Sequence, residues 1–122
     1  MVKVTQGDLI WIDAEPHAGR EEGGHNPQRG NIRRPMIVLS TAAYYDQTGL
    51  IIGMPITHRK FKRTDILIPI NDQTSGIDGS IITYQMPNYD FAGRHGKVAG
   101  HMGRELINQL LPIAVGVYGI TL

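Results

Sequence analysis

Cysteine is absent from the 122 residues, which excludes disulfides, thiolate nucleophiles and most structural zinc sites together. Long apolar runs are missing too. No window approaches the roughly 20 residues of a membrane-spanning helix, and the opening MVKVTQGD lacks the apolar region of a signal peptide. The chain therefore reads as a soluble cytoplasmic protein of prokaryotic style. Nor does one charge dominate: 12 Lys and Arg stand against 11 Asp and Glu, for a net charge of +1. That balance lacks the global electrostatic footprint of a nucleic-acid binder. Of the histidines, His17, His25, His95 and His101 show no metal-ligand spacing such as His-Glu-x-x-His and read as loop residues. No segment repeats, and none is of low complexity.

What is present is enough for one modest core. The length predicts a single domain over residues 1–122, and hydrophobic residues make up 41% of it. A domain of this size leaves much surface exposed, so a partner surface would help it. Five strands are predicted: DLIWID (8–13), MIVLS (36–40), LIIGMPI (50–56), DILIPI (65–70) and SIITYQM (80–86). The second is almost continuously apolar and should be buried on both faces. Gly53 marks a bulge or a close backbone approach in the third, and Pro69 places the fourth at an edge. Short strands separated by Gly, Pro and Asn clusters predict a small barrel or strongly bent sheet. Between the second and third strands, TAAYYDQTG is polar and turn-like and could hold one short helical turn. From Gly103 the period changes to helical, with Leu106, Ile107, Leu110 and Leu111 on one face. Pro112 should kink or break that helix, and Gly116 and Gly119 weaken its end.

Charge is clustered even though it is balanced. Arg29, Arg33 and Arg34 precede the second strand, and HRKFKR packs Arg59, Lys60, Lys62 and Arg63 around Phe61 after the third. Such runs are often only solvated loops; two of them beside strand ends favour a polyanion partner. The polar stretch from His17 to Arg34 exceeds the usual loop length, as binding loops and lids do. In an antiparallel pair the start of one strand lies beside the end of its neighbour. Arg34 and Thr57 can therefore face one another, with Gly19, Gly23 and Gly24 letting the first loop fold back over both.

Such a pocket would hold a guanidinium matched to phosphate, a hydroxyl donor and the Glu21 carboxylate. These are the minimal groups for cleaving RNA by its own 2′-hydroxyl. The plainer alternative is a solvated strand end and a turn-forming threonine. His58 is a rival proton carrier, since imidazole is the side chain that titrates about neutrality. Its alternative is an exposed turn histidine. Single-stranded bases are read by stacking on aromatic or guanidinium planes, for which Phe61, Arg59 and Lys60 are candidates, with Gln28, Asn31 and Arg33 in the loop.

Taken together, Gly7-Asp8, Trp11, Pro16, Gly19, Glu21, Arg34-Pro35 and Pro55-Ile56-Thr57 resemble the MazF/PemK family of toxin endoribonucleases. The resemblance spans essentially the whole chain and implies a mainly β fold, an SH3-like barrel of the CcdB/MazF/PemK toxin type with a C-terminal helix. It implies a homodimer that cleaves single-stranded RNA without metal or other cofactor, leaving 2′,3′-cyclic phosphate and 5′-hydroxyl ends. It also implies an antitoxin whose acidic, disordered tail folds across the RNA groove. Arg34 and Thr57 map to the family's catalytic Arg and Thr, Glu21 to a loop acid tied to activity in some members, and Gln85 to a strand-terminal Gln. With Arg20, Arg33, His58, Arg59, Lys60 and Phe61, Gln85 completes the expected RNA contacts. Two departures stand out. The segment between Gly24 and Arg34 is longer than in typical members. Where some relatives carry a catalytic His, Arg and Asp, this chain has Arg20, Ile82 and Tyr84, so that acid–base assignment does not transfer. The remaining alternatives are a gyrase poison of the same barrel, which cleaves nothing, and a non-catalytic RNA-binding barrel.

Overall fold

The structure, a computed structural model, describes residues 2–14, 25–26, 30–31, 33–58 and 66–121, with the backbone alone at 25–26 and 30–31. Alternating and continuous apolar runs become strands β1 (Asp8–Asp13), β4 (Arg33–Val38), β5 (Leu50–Thr57), β6 (Leu67–Asp72) and β7 (Ile77–Ile82). Two-residue strands β2 (His25–Asn26) and β3 (Gly30–Asn31) pair with each other, and β8 (Asn88–Asp90) and β9 (Lys97–His101) complete the set. All the pairings are antiparallel, and the large sheet runs β6-β7-β5-β4-β1-β9 with β8 also on β5.

The centre of the sheet is buried on both sides. Successive side chains of a strand point to opposite faces. Leu9, Ile37, Leu39, Met54 and Ile56 accordingly join Ile70, Ile77 and Ile81 on one face. Ile10, Ile12, Met36, Val38 and Ile51 join Val4 and Phe91 on the other. Helix α1 (Ala42–Thr48) is capped by the Thr41 side chain at its start and by left-handed Gly49 at its end. Its Tyr45 packs edge-on to Phe91 at 5.6 Å. Helix α2 (Arg104–Gly116) inserts Ile107 and Leu110 into the first cluster.

Strand β5 is where the sheet curls. Leu50–Ile52 pair with β8, Gly53–Pro55 with β4, and Ile56–Thr57 with β7. A Cβ on Gly53 would lie 2.3 Å from the Ile37 carbonyl oxygen, so the expected close approach is real. The far ends of the curl meet: a Cβ on Gly100 of β9 would lie 3.0 Å from Asp72 Oδ2 and Ser75 Cβ in the β6–β7 turn. The mainly β, SH3-like barrel with a C-terminal helix is thus as expected. So are the two-faced burial of the second predicted strand and the edge position of β6, which carries Pro69 and pairs only with β7.

Several boundaries differ from the sequence expectation. β4 starts three residues earlier than predicted, because Asp13, Ile12 and Trp11 of β1 pair with Arg33, Arg34 and Pro35. β7 starts at Ile77 and not Ser80, and Gly79 lies within it, drawn there by the pairing of Asn71 with Asp78 and Asp72 with Ile77. β9 has no expected counterpart; its KVAGH is too polar to read as a strand and is recruited by β1. α1 is seven residues long, not one turn. α2 continues through Pro112 to Gly116. The loss of one backbone bond and the ring clash, about 3 kcal/mol, is offset by Ile107 and Leu110, with Leu106, Leu111 and Ala114 packed beside them.

Candidate active site

The β4–β5 ladder carries Val38 opposite Gly53, Ile37 opposite Met54 and Met36 opposite Pro55. Two steps further along the same register lie Arg34 and Thr57. Both line one open cleft of about 290 Å³, with Trp11, Arg33, Pro35, Ile56, His58 and Asp78 around them. The convergence expected from the strand order is therefore present. Thr57 is buried, at 6% exposure. It is the last residue of β5 and pairs with Ser80 of β7.

The two adjacent arginines are treated differently. Arg33 faces Asp13 directly across the β1–β4 pair. Its Nη1 donates to Asp13 Oδ1 at 2.9 Å, and its Nη2 donates to the carbonyls of His95 at 2.8 Å and Trp11 at 3.3 Å. His95 Nδ1 lies 2.8 Å from Asp13 Oδ2, so one carboxylate holds both groups. Burial alone would raise the Asp13 carboxyl. The His95 hydrogen bond, followed by the Arg33 hydrogen bond and charge, outweighs that and holds it below the usual carboxylate value. Arg34, one residue on, leaves the strand on its other side. Its Nε is buried and, among the described residues, lacks a hydrogen-bond partner. An orphaned polar group of this kind costs about 1–3 kcal/mol. Arg34 also lines the open cleft, where a guanidinium suits an anion.

On the opposite wall, His58 Nε2 lies 2.8 Å from Asp78 Oδ1, both side chains well exposed at 75% and 59%. Gly79 makes this possible. Its φ is +134°, and a Cβ there would lie 2.4 Å from the Thr57 carbonyl oxygen and 3.0 Å from His58 Cδ2. No side chain fits between β7 and the Thr57-His58 segment. Gln85 follows the turn after β7, half-buried, and does not line the cleft. Glu21, Arg20, Arg59, Lys60 and Phe61 lie outside the described residues, as does the side chain of Asn31.

Trp11, Asp78 and Gly79 were missed as site residues. Trp11 carried a signal, being the aromatic of the first strand. Asp78-Gly79 fell between the predicted strands 65–70 and 80–86, and only the pairing of β6 with β7 brings them to the cleft. The Gly7-Asp8 pair proves to be architectural. Asp8 accepts from the Thr5 N–H at 2.9 Å and lies 2.9 Å from His101 Nδ1, while the Gly7 carbonyl accepts from the Met102 N–H at 2.8 Å. These bonds tie the entry of β1 to the end of β9.

A small curled antiparallel sheet, closed by a C-terminal helix and bearing an arginine–threonine cleft, defines a class of compact toxin. The chain belongs to the PemK-like, MazF-like toxin family of type II toxin–antitoxin systems, whose model matches residues 5–112. The endoribonuclease toxin MazF of Escherichia coli K12 is 41% identical over 51 residues, 42% of this chain and 39% of that protein. The match thus spans about two fifths of the length of this curated relative. Crystalline MazF (Form-I) from Deinococcus radiodurans superposes with a TM-score of 0.82 at 25% identity, covering 98% of this chain and all of that one. A mycobacterial endoribonuclease in complex with its cognate antitoxin shares the fold, with a TM-score of 0.71 at 11% identity over 100% of this chain and 99% of that one.

Proposed function

We propose that the protein is the endoribonuclease toxin of a toxin–antitoxin module. In this reading it cuts single-stranded RNA, messenger RNA included, at a preferred sequence and without metal. It leaves 2′,3′-cyclic phosphate and 5′-hydroxyl ends and so arrests translation and growth. The observation that carries this is the convergence of Arg34 and Thr57 on one cleft, with the buried Arg34 Nε lacking a partner among the described residues.

In the reaction the 2′-oxygen attacks phosphorus, the P–O5′ bond breaks, and negative charge grows on the non-bridging oxygens. The Arg34 guanidinium binds those oxygens as their charge develops. Thr57, held by the β5–β7 pairing, donates a hydrogen bond to one of them. A donor that bonds more strongly to the transition state than to the ground state accelerates the step. A base must take the 2′-hydroxyl proton, for which Glu21, His58 and water are the candidates. The same anion-seeking cleft suits the acidic tail of an antitoxin, and the mycobacterial relative is a complex with its cognate antitoxin. We take the working form to be a cytoplasmic homodimer, each protomer a single domain.

The test is cleavage of a single-stranded transcript in the presence of EDTA, with end-group analysis. Arg34→Ala and Thr57→Ala should each lower the rate by about 10²–10³, with 5′-hydroxyl ends from the wild type. Intact RNA held at micromolar affinity would instead favour a non-catalytic binder. Neither cleavage nor binding would favour a poison acting on a protein such as gyrase. Wild-type rates in Arg34→Ala would place the chemistry elsewhere.

A further inference from the structure

Transesterification at phosphorus goes fastest when a positioned side chain takes the 2′-hydroxyl proton. The cleft wall opposite Arg34 carries a pair suited to that task. We propose that His58 is the general base of the reaction and that Asp78 is its positioning residue, an assignment that rests on the endoribonuclease reading above.

Three observations carry it. His58 directly follows Thr57 and lines the same cleft as Arg34, so a phosphate held by the arginine and the threonine brings its neighbouring ribose toward the imidazole. The ring is oriented, not loose: Nε2 lies 2.8 Å from Asp78 Oδ1. With a carboxylate there, Nε2 carries the proton and donates it, which leaves the Nδ1 lone pair as the acceptor. Finally, the local backbone is shaped around the pair. Continuing the Thr57–Ser80 register sets His58 across from Gly79. A Cβ at Gly79 would stand 3.0 Å from the ring's Cδ2 and would push it away from Asp78.

The step balances without another reactant. The 2′-hydroxyl proton passes to His58 Nδ1 as the O2′–P bond forms. The P–O5′ bond breaks, and solvent water protonates the departing 5′-oxygen. Asp78 stabilises the imidazolium that results, as the acid of a hydrolase triad does for its histidine. Among the described residues, the other charged groups lining the cleft are Arg33 and Arg34 of β4, the first paired to Asp13 of β1. No like-charge neighbour other than Arg34 therefore opposes the transfer among the described residues. An exposed ion pair adds little to stability, so removing either member leaves the fold in place.

The experiment is single-turnover cleavage of a several-hundred-nucleotide transcript in EDTA from pH 5 to 9, using wild type, His58→Ala and Asp78→Asn. Binding is measured separately on a 2′-O-methyl copy. His58→Ala should lose about 10²–10³ in rate while binding stays within a few-fold. It should also lose the rise of rate with pH that the wild type shows, and recover activity with added imidazole. Asp78→Asn should slow cleavage by a smaller factor and displace the acid limb of the profile. An active wild type with an equally fast, equally pH-dependent His58→Ala overturns the proposal alone. An inert wild type overturns the endoribonuclease reading and takes the proposal with it.

Discussion

Asp13 holds two side chains at once, Arg33 and His95, through its two oxygens. The same contact fixes His95 in a left-handed backbone at φ +55°, a conformation a non-glycine residue adopts only when its surroundings impose it. By engaging Arg33, the carboxylate leaves Arg34, among the described residues, as the cation available to the cleft. Because the folded carboxyl lies below its ordinary value, its stabilisation is complete above the unfolded range of about 3.9. It is lost as pH falls through the folded value. Melting temperatures measured from pH 7 to pH 2.5 should therefore fall more steeply for wild type than for Asp13→Asn. The variant should start lower at pH 7 and show a flatter profile. Equal slopes would mean that Asp13 makes no charge-dependent contribution. Arg34 itself was legible, since an arginine before Pro35 at a strand start pairs by register with the exit of the next strand. The restraint on Arg33 was not legible, because its partners Trp11, Asp13 and His95 are 22, 20 and 62 residues away.

At the scale of elements, β5 and β7 build the wall on which Thr57, His58 and Asp78 sit. The contact is so close at Gly79 that a methyl group would meet the Thr57 carbonyl oxygen. Gly79→Ala should cost about 1–3 kcal/mol of stability, read by thermal unfolding, through strain at φ +134° and that clash. Cleavage should fall with it even at temperatures where the variant remains folded, since the end of β5 must shift. Full activity at unchanged stability would show that the Thr57-His58 segment is not set by this contact. The central strands were readable from apolar runs; β9 and the start of β7 were not. Lys97–His101 and Asp78-Gly79 acquire strand geometry from the partners that recruit them, which is a tertiary override of weak local propensity. Pro112 shows the same override in α2, where core contacts of Ile107 and Leu110 outweigh a helix breaker.

Across the whole molecule, with a net charge of +1, the proposed function requires that RNA affinity come from a few local contacts. The slope of log affinity against log salt should accordingly be shallow. Arg34→Ala should reduce it by about 0.7, the value for one phosphate contact on a single strand. A steep slope insensitive to Arg34 would move the RNA path off this cleft. An acidic antitoxin tail should compete with RNA for the same surface, and saturating antitoxin that leaves RNA affinity intact would separate the two sites.

Taken by itself, the sequence determined the family, the mainly β class and the central strands, because apolar periodicity and a set of spaced motif residues are local properties. It also singled out Arg34 and Thr57, because antiparallel order makes one strand's start the neighbour of the next one's end. Only the tertiary structure decided that Arg33 is held while the Arg34 Nε stands unpartnered, that Asp78 reaches His58, and that Gly79 clears the space between them. Those outcomes depend on the curl at β5 and on pairings between residues far apart in the chain, and no local pattern encodes such closures.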